Sequence, residues 1–175
     1  MPFKFLIRTV PHYPKPGVMF RDITTLLKDA NGFRLAVTSL ADYFRGQPID
    51  RVAGIEARGF ILGAAVAFEL GLGFIPVRKK GKLPATSVGQ DYDLEYGTDR
   101  IEIHADAIAN GESILLIDDL LATGGTALAA CSLIQSMGGN IHGCGFVIDL
   151  PDLGGRQRLQ EKGIPVYSLC EFEGD

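Results

Sequence analysis

The residues best suited to chemistry lie in one stretch, LLIDDLLATGGT, from Leu115 to Thr126. A short run, Ser113 to Ile117, reads as a buried strand. It ends in two adjacent carboxylates, Asp118 and Asp119, and leads through Ala122 and Thr123 to Gly124, Gly125 and Thr126, where a helix is predicted to begin. In open α/β sheets ligands bind beyond the carboxyl ends of the strands, and a glycine-rich turn into a helix presents unpaired N–H groups at the positive end of a dipole. Such a turn is a seat for phosphate. Gly124 and Gly125 allow close approach and positive φ, and the hydroxyls of Thr123 and Thr126 add hydrogen bonds. No lysine follows the glycines, as it would in a Walker loop, and their spacing is not that of a dinucleotide fingerprint. Carboxylates accept hydrogen bonds from vicinal hydroxyls. A sugar whose 5-phosphate sits in this cradle would therefore offer its 2- and 3-hydroxyls to Asp118 and Asp119, a pattern that fits ribose 5-phosphate. Taken apart, Thr-Gly-Gly-Thr is an ordinary tight turn and the aspartates a strand-end cap. The succession of strand, carboxylates, glycines and helix is what points to function.

Other charged residues are less telling alone. Arg58 stands at a predicted helix start, where a cation opposes the helix dipole, so something other than helix stability must favour it. Arg78, Lys79, Lys80 and Lys82 are the densest positive patch, although a charge run is usually a solvated loop. His12, His104 and His142 lack metal-ligand spacing with any cysteine or carboxylate, and no nucleophile elbow is present.

The elements that must hold these residues follow from periodicity. Unalternating apolar runs at Val52 to Ile55, Phe74 to Val77, Ile114 to Ile117 and Cys144 to Ile148 suit strands buried on both faces. Helices are predicted from Asp29, as cap, to about Arg45, over Phe60 to Leu70, and over Thr126 to Met137, with Gly46, Gly71 and Gly138 as stops. The order is that of an α/β fold, a twisted, mainly parallel sheet flanked by helices. Tyr92 to His104 alternates instead, which predicts a half-exposed antiparallel ribbon outside the main sheet. Pro11, Pro14 and Pro16 predict an extended arm over the first ~22 residues.

The totals bound the function. A chain of 175 residues suits one domain. The net charge of −4 and the lack of a long like-charge run argue against nucleic acid and membrane surfaces as partners. Cys131, Cys144 and Cys170, odd in number and set among apolar residues, read as buried thiols. With no leader pattern seen, the expected address is the cytoplasm. The apolar stretch Gly59 to Val77 approaches a membrane span in length, but Glu69, Gly71 and Gly73 interrupt it and favour a helix followed by a strand.

Five segments in this order resemble the type I phosphoribosyltransferases, and within them the adenine-using branch: PGVMFRDIT (Pro16 to Thr24), EARGF (Glu56 to Phe60), VRKKGKLP (Val77 to Pro84), DLEYGTD (Asp93 to Asp99) and the central loop. The likeness covers nearly the whole chain. It implies one domain over 1–175 with an N-terminal hood (about 1–28), a core (about 29–170) and a flexible β-ribbon lid (about 82–100). It also implies transfer of a phosphoribosyl group from phosphoribosyl pyrophosphate to adenine, giving AMP and diphosphate. Mg2+ would be carried by the diphosphate, with no direct protein ligand. The donor would meet Asp118, Asp119 and Ala122 to Thr126, together with Ala57, Arg58, Arg78, Lys79, Lys82 and Tyr96. The base would meet Met19, Phe20, Arg21 and Leu150, and Glu95 and Arg58 would be the catalytic pair, Glu95 taking the proton of the base. The family often has serine where Ala57 stands, so a hydroxyl contact is missing there. A homodimer is implied, with Arg78 reaching the neighbouring subunit's diphosphate. The resemblance leaves room for another base (xanthine, hypoxanthine or guanine), or for a regulator that binds the same donor.

Overall fold

The computed structural model describes residues 2–94 and 96–174. A short helix, α1 (Phe3–Leu6), precedes a hairpin of β1 (Arg8–Pro11) and β2 (Met19–Asp22), and α2 (Thr24–Lys28) and α3 (Ala30–Phe44) follow. Then come β3 (Arg51–Ile55), α4 (Arg58–Leu70), β4 (Gly73–Lys79), β5 (Ser87–Asp93), β6 (Thr98–His104), β7 (Ser113–Leu121), α5 (Gly125–Ser136) and β8 (Asn140–Asp149). A 3-10 turn (Pro151–Leu153), α6 (Gly155–Glu161) and β9 (Val166–Glu171) close the chain.

Seven strands form one sheet in the order β5-β6-β4-β3-β7-β8-β9. From β4 to β9 the pairing is parallel, and it turns antiparallel at β6 and β5. The buried runs of β3, β7 and β8 explain why they lie at the centre, because helices cover both faces. On one face Leu40, Phe44, Leu62 and Val66 of α3 and α4 pack on Val52, Leu115 and Ile117. On the other, Ala130, Leu133 and Ile134 of α5 and Leu159 of α6 pack on Ile55, Ile75, Leu116 and Phe146. Asp29 caps α3 as expected, its Oδ1 accepting from the Gly32 amide at 2.7 Å, a contact worth about 1 kcal/mol. Gly71 and Gly138 adopt the left-handed conformation just past their helices. The three cysteines are buried free thiols. Among the described residues no helix is long and apolar enough to cross a membrane.

The structure departs from expectation in four places. The N-terminal arm is not simply extended: Phe3 and Ile7 bury in the core and anchor α1, and the prolines fall at the end of β1 and in the hairpin loop, where the Tyr13–Pro14 peptide is cis. The central strand runs on past Ile117 to Leu121, because Asp118, Leu120 and Leu121 still pair with β8. The ribbon begins at Ser87, and β6 joins it to the sheet through Arg78↔Glu102 and Lys79↔Ile101. The elements after Asp149 have short or mixed-polarity sequences that carry little periodic signal.

Candidate functional site

The cradle forms where β7 ends. Gly124 has φ +85°, which a residue with a side chain rarely adopts. It turns the chain so that Gly125 starts α5 with the first-turn N–H groups lacking intrahelical acceptors. Gly125, expected to share the positive φ, has an ordinary backbone and serves as the first helical residue.

The carboxylates stand inside the strand, so successive side chains leave it on opposite sides. Asp119 is 5% exposed, and one of its oxygens accepts from Arg58 Nε. Asp118 is half-buried, its Oδ1 accepting from the Asp119 amide at 2.9 Å. The same oxygen lies where a Cβ on Gly59 would come within 2.8 Å, so glycine is required there for α4 to start beside the carboxylate. Burial, and then the negative charge of Asp119, push the Asp118 carboxyl well above the usual carboxylate range.

A cleft of about 380 Å³ opens over these groups, within the range of small-molecule sites. The loop from Ala122 to Thr126 lines it, with Asp118, Asp119 and Arg58, and so do Met19, Phe20 and Arg21 of β2 and Leu150. The hood face is held by the hairpin register Val10↔Phe20 and by Tyr13, whose ring meets Phe20 edge-on at 5.2 Å. Arg21 donates to Thr9 Oγ1 at 2.7 Å and lies over the Phe172 ring. The lining thus combines apolar side chains, Met19, Phe20 and Leu150 among them, with two carboxylates, Arg58 and the glycine loop.

Other expected residues stand apart from this cleft. Ala57 is the residue before α4, and the Glu56–Ala57 peptide is cis. Arg78 donates to Glu56 Oε1 at 3.2 Å and to the Lys82 carbonyl at 3.3 Å, with its guanidinium 5.9 Å from the Phe60 ring centre. Lys79 Nζ points into the ribbon, bonding Tyr92 Oη and Asp99 Oδ2, each at 2.9 Å. Lys82 lies in the exposed loop after β4. Tyr96 is 78% exposed, with the Lys15 ammonium 5.0 Å from its ring centre, so hood and ribbon touch. Glu95 lies outside the described residues.

Sequence reasoning missed the organising role of Glu56. Despite its burial, the Lys79 amide (2.6 Å) and the Arg78 guanidinium hold its carboxyl below the usual range. A lone glutamate at a strand end, 22 residues from a basic cluster, gives no local sign of that pairing. Val18 and Leu153 also line the cleft. Leu153 belongs to the 3-10 turn that periodicity does not reveal.

Comparison with known proteins agrees with this architecture. The family profile described as Phosphoribosyl transferase domain matches residues 24–169. The chain is 62% identical over 175 residues to the adenine phosphoribosyltransferase of Nitrosospira multiformis, covering all of both chains. The crystal structure of adenine phosphoribosyltransferase from Thermoanaerobacter pseudethanolicus superposes with a TM-score of 0.93 at 46% identity, over 97% of this chain and 98% of that one. The Saccharomyces cerevisiae enzyme, solved with an imino-altritol bisphosphate and adenine, superposes at 0.89 with 35% identity, over 96% of each chain. With this match, and with the glycine loop, the paired carboxylates and apolar residues of β2 lining one cleft, the chain belongs to the adenine phosphoribosyltransferases of the phosphoribosyl transferase family.

Proposed function

We propose that the protein is a purine-salvage transferase that moves the phosphoribosyl group of phosphoribosyl pyrophosphate to adenine, giving AMP and diphosphate. The observation that carries this reading is that one cleft is lined both by the glycine loop with Asp118, Asp119 and Arg58, suited to a phosphorylated sugar, and by Met19, Phe20 and Leu150, suited to a flat base.

The 5-phosphate sits on the loop Thr123 to Thr126 with Ala122, and the ribose 2- and 3-hydroxyls donate to Asp118 and Asp119. Adenine lies between Phe20 and Leu150, the Met19 backbone reads its 6-amino group, and Arg21 closes the edge. The base attacks C1 through N9, the C1–O bond to diphosphate breaks, and the N9 proton leaves toward Glu95. Arg58, beside Ala57, is placed to meet the departing diphosphate. Its side chain is still 45% exposed while it is bonded to Asp119. Lys79, Lys82 and Tyr96 belong to the lid and its root. Their engagement elsewhere supports a role in closure, which excludes water from a cationic transition state.

Mg2+ fits the donor's own oxygens. It prefers six hard oxygen ligands and keeps several waters, whereas the protein groups at the cleft are two carboxylates already engaged by Arg58 and by the Asp119 amide. When bound, the cation neutralises charge on the leaving diphosphate.

The chain works as one domain, with hood, core and lid as bounded above. A homodimer is part of this reading: Ile61 (45% exposed) and Phe68 (86% exposed) leave apolar surface uncovered on α4, and the expected target of Arg78 is the partner's diphosphate. Three buried thiols suit the cytoplasm.

The test is a coupled assay of several bases with phosphoribosyl pyrophosphate and Mg2+. Adenine is expected to turn over far faster than hypoxanthine, guanine or xanthine. No turnover of adenine beside brisk turnover of another base would refute the assignment.

A further inference from the structure

We infer that the first turn of α6 braces the phosphate loop from outside, and that Arg158 is a positioning residue for the donor's 5-phosphate. The inference rests on the reading of the loop given above and adds to it the groups that hold its shape.

Four consecutive carbonyls of the loop are engaged. Leu121 O accepts from the Leu150 amide at 2.9 Å, Ala122 O from the Gly155 amide at 3.1 Å and Gly124 O from the Leu128 amide at 2.8 Å. Thr123 O accepts from Arg158 Nη1 at 2.6 Å. In a planar trans peptide the carbonyl of one residue and the N–H of the next point in opposite directions. Fixing the Ala122 and Thr123 carbonyls toward α6 therefore aims the Thr123 and Gly124 amides the other way, and both residues line the cleft on that other side. The loop's donors are oriented by acceptor contacts made behind it.

The brace depends on close contact. A Cβ on Gly155 would lie 2.4 Å from the Ala122 carbonyl oxygen and 2.9 Å from the Gly124 nitrogen, both backbone atoms that cannot swing aside. Gly124 in turn faces the Gly155 Cα at 3.1 Å. Arg158 supplies the only side-chain bond of the four, and it is exposed, so truncating it leaves no buried charge unpaired. Its positive charge also sits directly behind the anion seat. Neither residue belongs to the cleft lining, which is why local motif reading passes over them.

The experiment compares wild type, Arg158→Met, Arg158→Lys and Gly155→Ala by calorimetric binding of ribose 5-phosphate, steady-state kinetics and thermal unfolding. A charge-assisted hydrogen bond lost without a new buried defect corresponds to about a tenfold effect. Arg158→Met is expected to weaken ribose 5-phosphate about tenfold and to raise KM for phosphoribosyl pyrophosphate similarly. KM for adenine, kcat and the unliganded melting temperature stay near wild type. Arg158→Lys recovers part of the loss, and Gly155→Ala loses more affinity together with stability. Equal binding by wild type and Arg158→Met would overturn the inference alone, as would a parallel rise in both KM values with a falling melting temperature. Failure of wild type to bind ribose 5-phosphate would overturn the reading of the loop and this inference with it.

Discussion

Arg156 offers a perturbation whose magnitude follows from the structure. Its Nε donates to Asp149 Oδ2 at 2.7 Å, Nη1 to the Val166 carbonyl at 3.0 Å and Nη2 to Ser168 Oγ at 2.6 Å. Asp149 is fully buried, and among the described residues its other oxygen, Oδ1, has no hydrogen-bond partner. Arg156→Met would leave that carboxylate buried with neither oxygen satisfied. Breaking a buried pair from one side costs about 3–5 kcal/mol. The arginine side chain is 28% exposed, so water can reach part of the gap and the lower end applies. At about 2–4 °C per kcal/mol for a protein of this size, a loss of about 3 kcal/mol lowers the melting temperature by about 6–12 °C. Replacing both partners, Asp149→Leu with Arg156→Met, removes the stranded charge and should return to within about 1 kcal/mol of wild type. Asp149 immediately precedes Leu150, which lines the cleft and is proposed to meet the base, so KM for adenine should rise in Arg156→Met and recover in the double variant. Thermal unfolding and base-dependent kinetics of wild type, Arg156→Met, Asp149→Leu and the double variant complete the cycle. A single-variant drop below about 2 °C, or a double variant no more stable than the single, would refute the reasoning.

The remaining expectations can be checked with the same protein. Glu95→Gln should lower kcat by about a hundredfold or more, the usual scale for a proton-transfer group, with little change in donor affinity; unchanged turnover would remove its role. Asp118→Asn with Asp119→Asn should weaken binding of phosphoribosyl pyrophosphate, and an unaltered dissociation constant would contradict the ribose assignment. Asp118→Asn alone should stabilise the unliganded protein. Because the Asp118 pKa is raised on folding, its charge costs stability above that pKa, and the gain should shrink as pH is lowered toward 4 in a melting series. Asp22 behaves oppositely: Arg8 and then Thr24 lower its pKa to about 2. Its contribution, about 1 kcal/mol given the exposed Arg8, is present above pH 4 and lost as pH falls through 2. Asp22→Asn should therefore destabilise at pH 7, and the difference should vanish only as pH is taken below 2.

Legibility in the sequence followed local encoding. The cradle was readable because a buried strand, two carboxylates, two glycines and a helix start succeed one another within a dozen residues. The helix over Ala30–Phe44 was readable because Asp29 caps it and one face is apolar. The central strand's true end was not, since Asp118 and Asp119 look like loop residues until their pairing with β8 is known. The hairpin of β1 and β2 escaped because prolines masked its strands. Arg78 was singled out as cationic, but its tie to Glu56 joins the ends of two neighbouring parallel strands, a relation fixed only by sheet order. The brace at Gly155 and Arg158 was invisible for the same reason: its acceptors, Ala122 and Thr123, lie more than thirty residues upstream.

The enclosure of Cys131, Cys144 and Cys170 has a practical consequence. With each native sulfur shielded by the core, the folded surface is inert to maleimides. A cysteine placed at exposed Tyr96, on the turn of the ribbon, would be the one thiol a fluorophore reaches. The closure proposed for the ribbon can then be tested during turnover with a single reporter and no need to strip native cysteines from the interior.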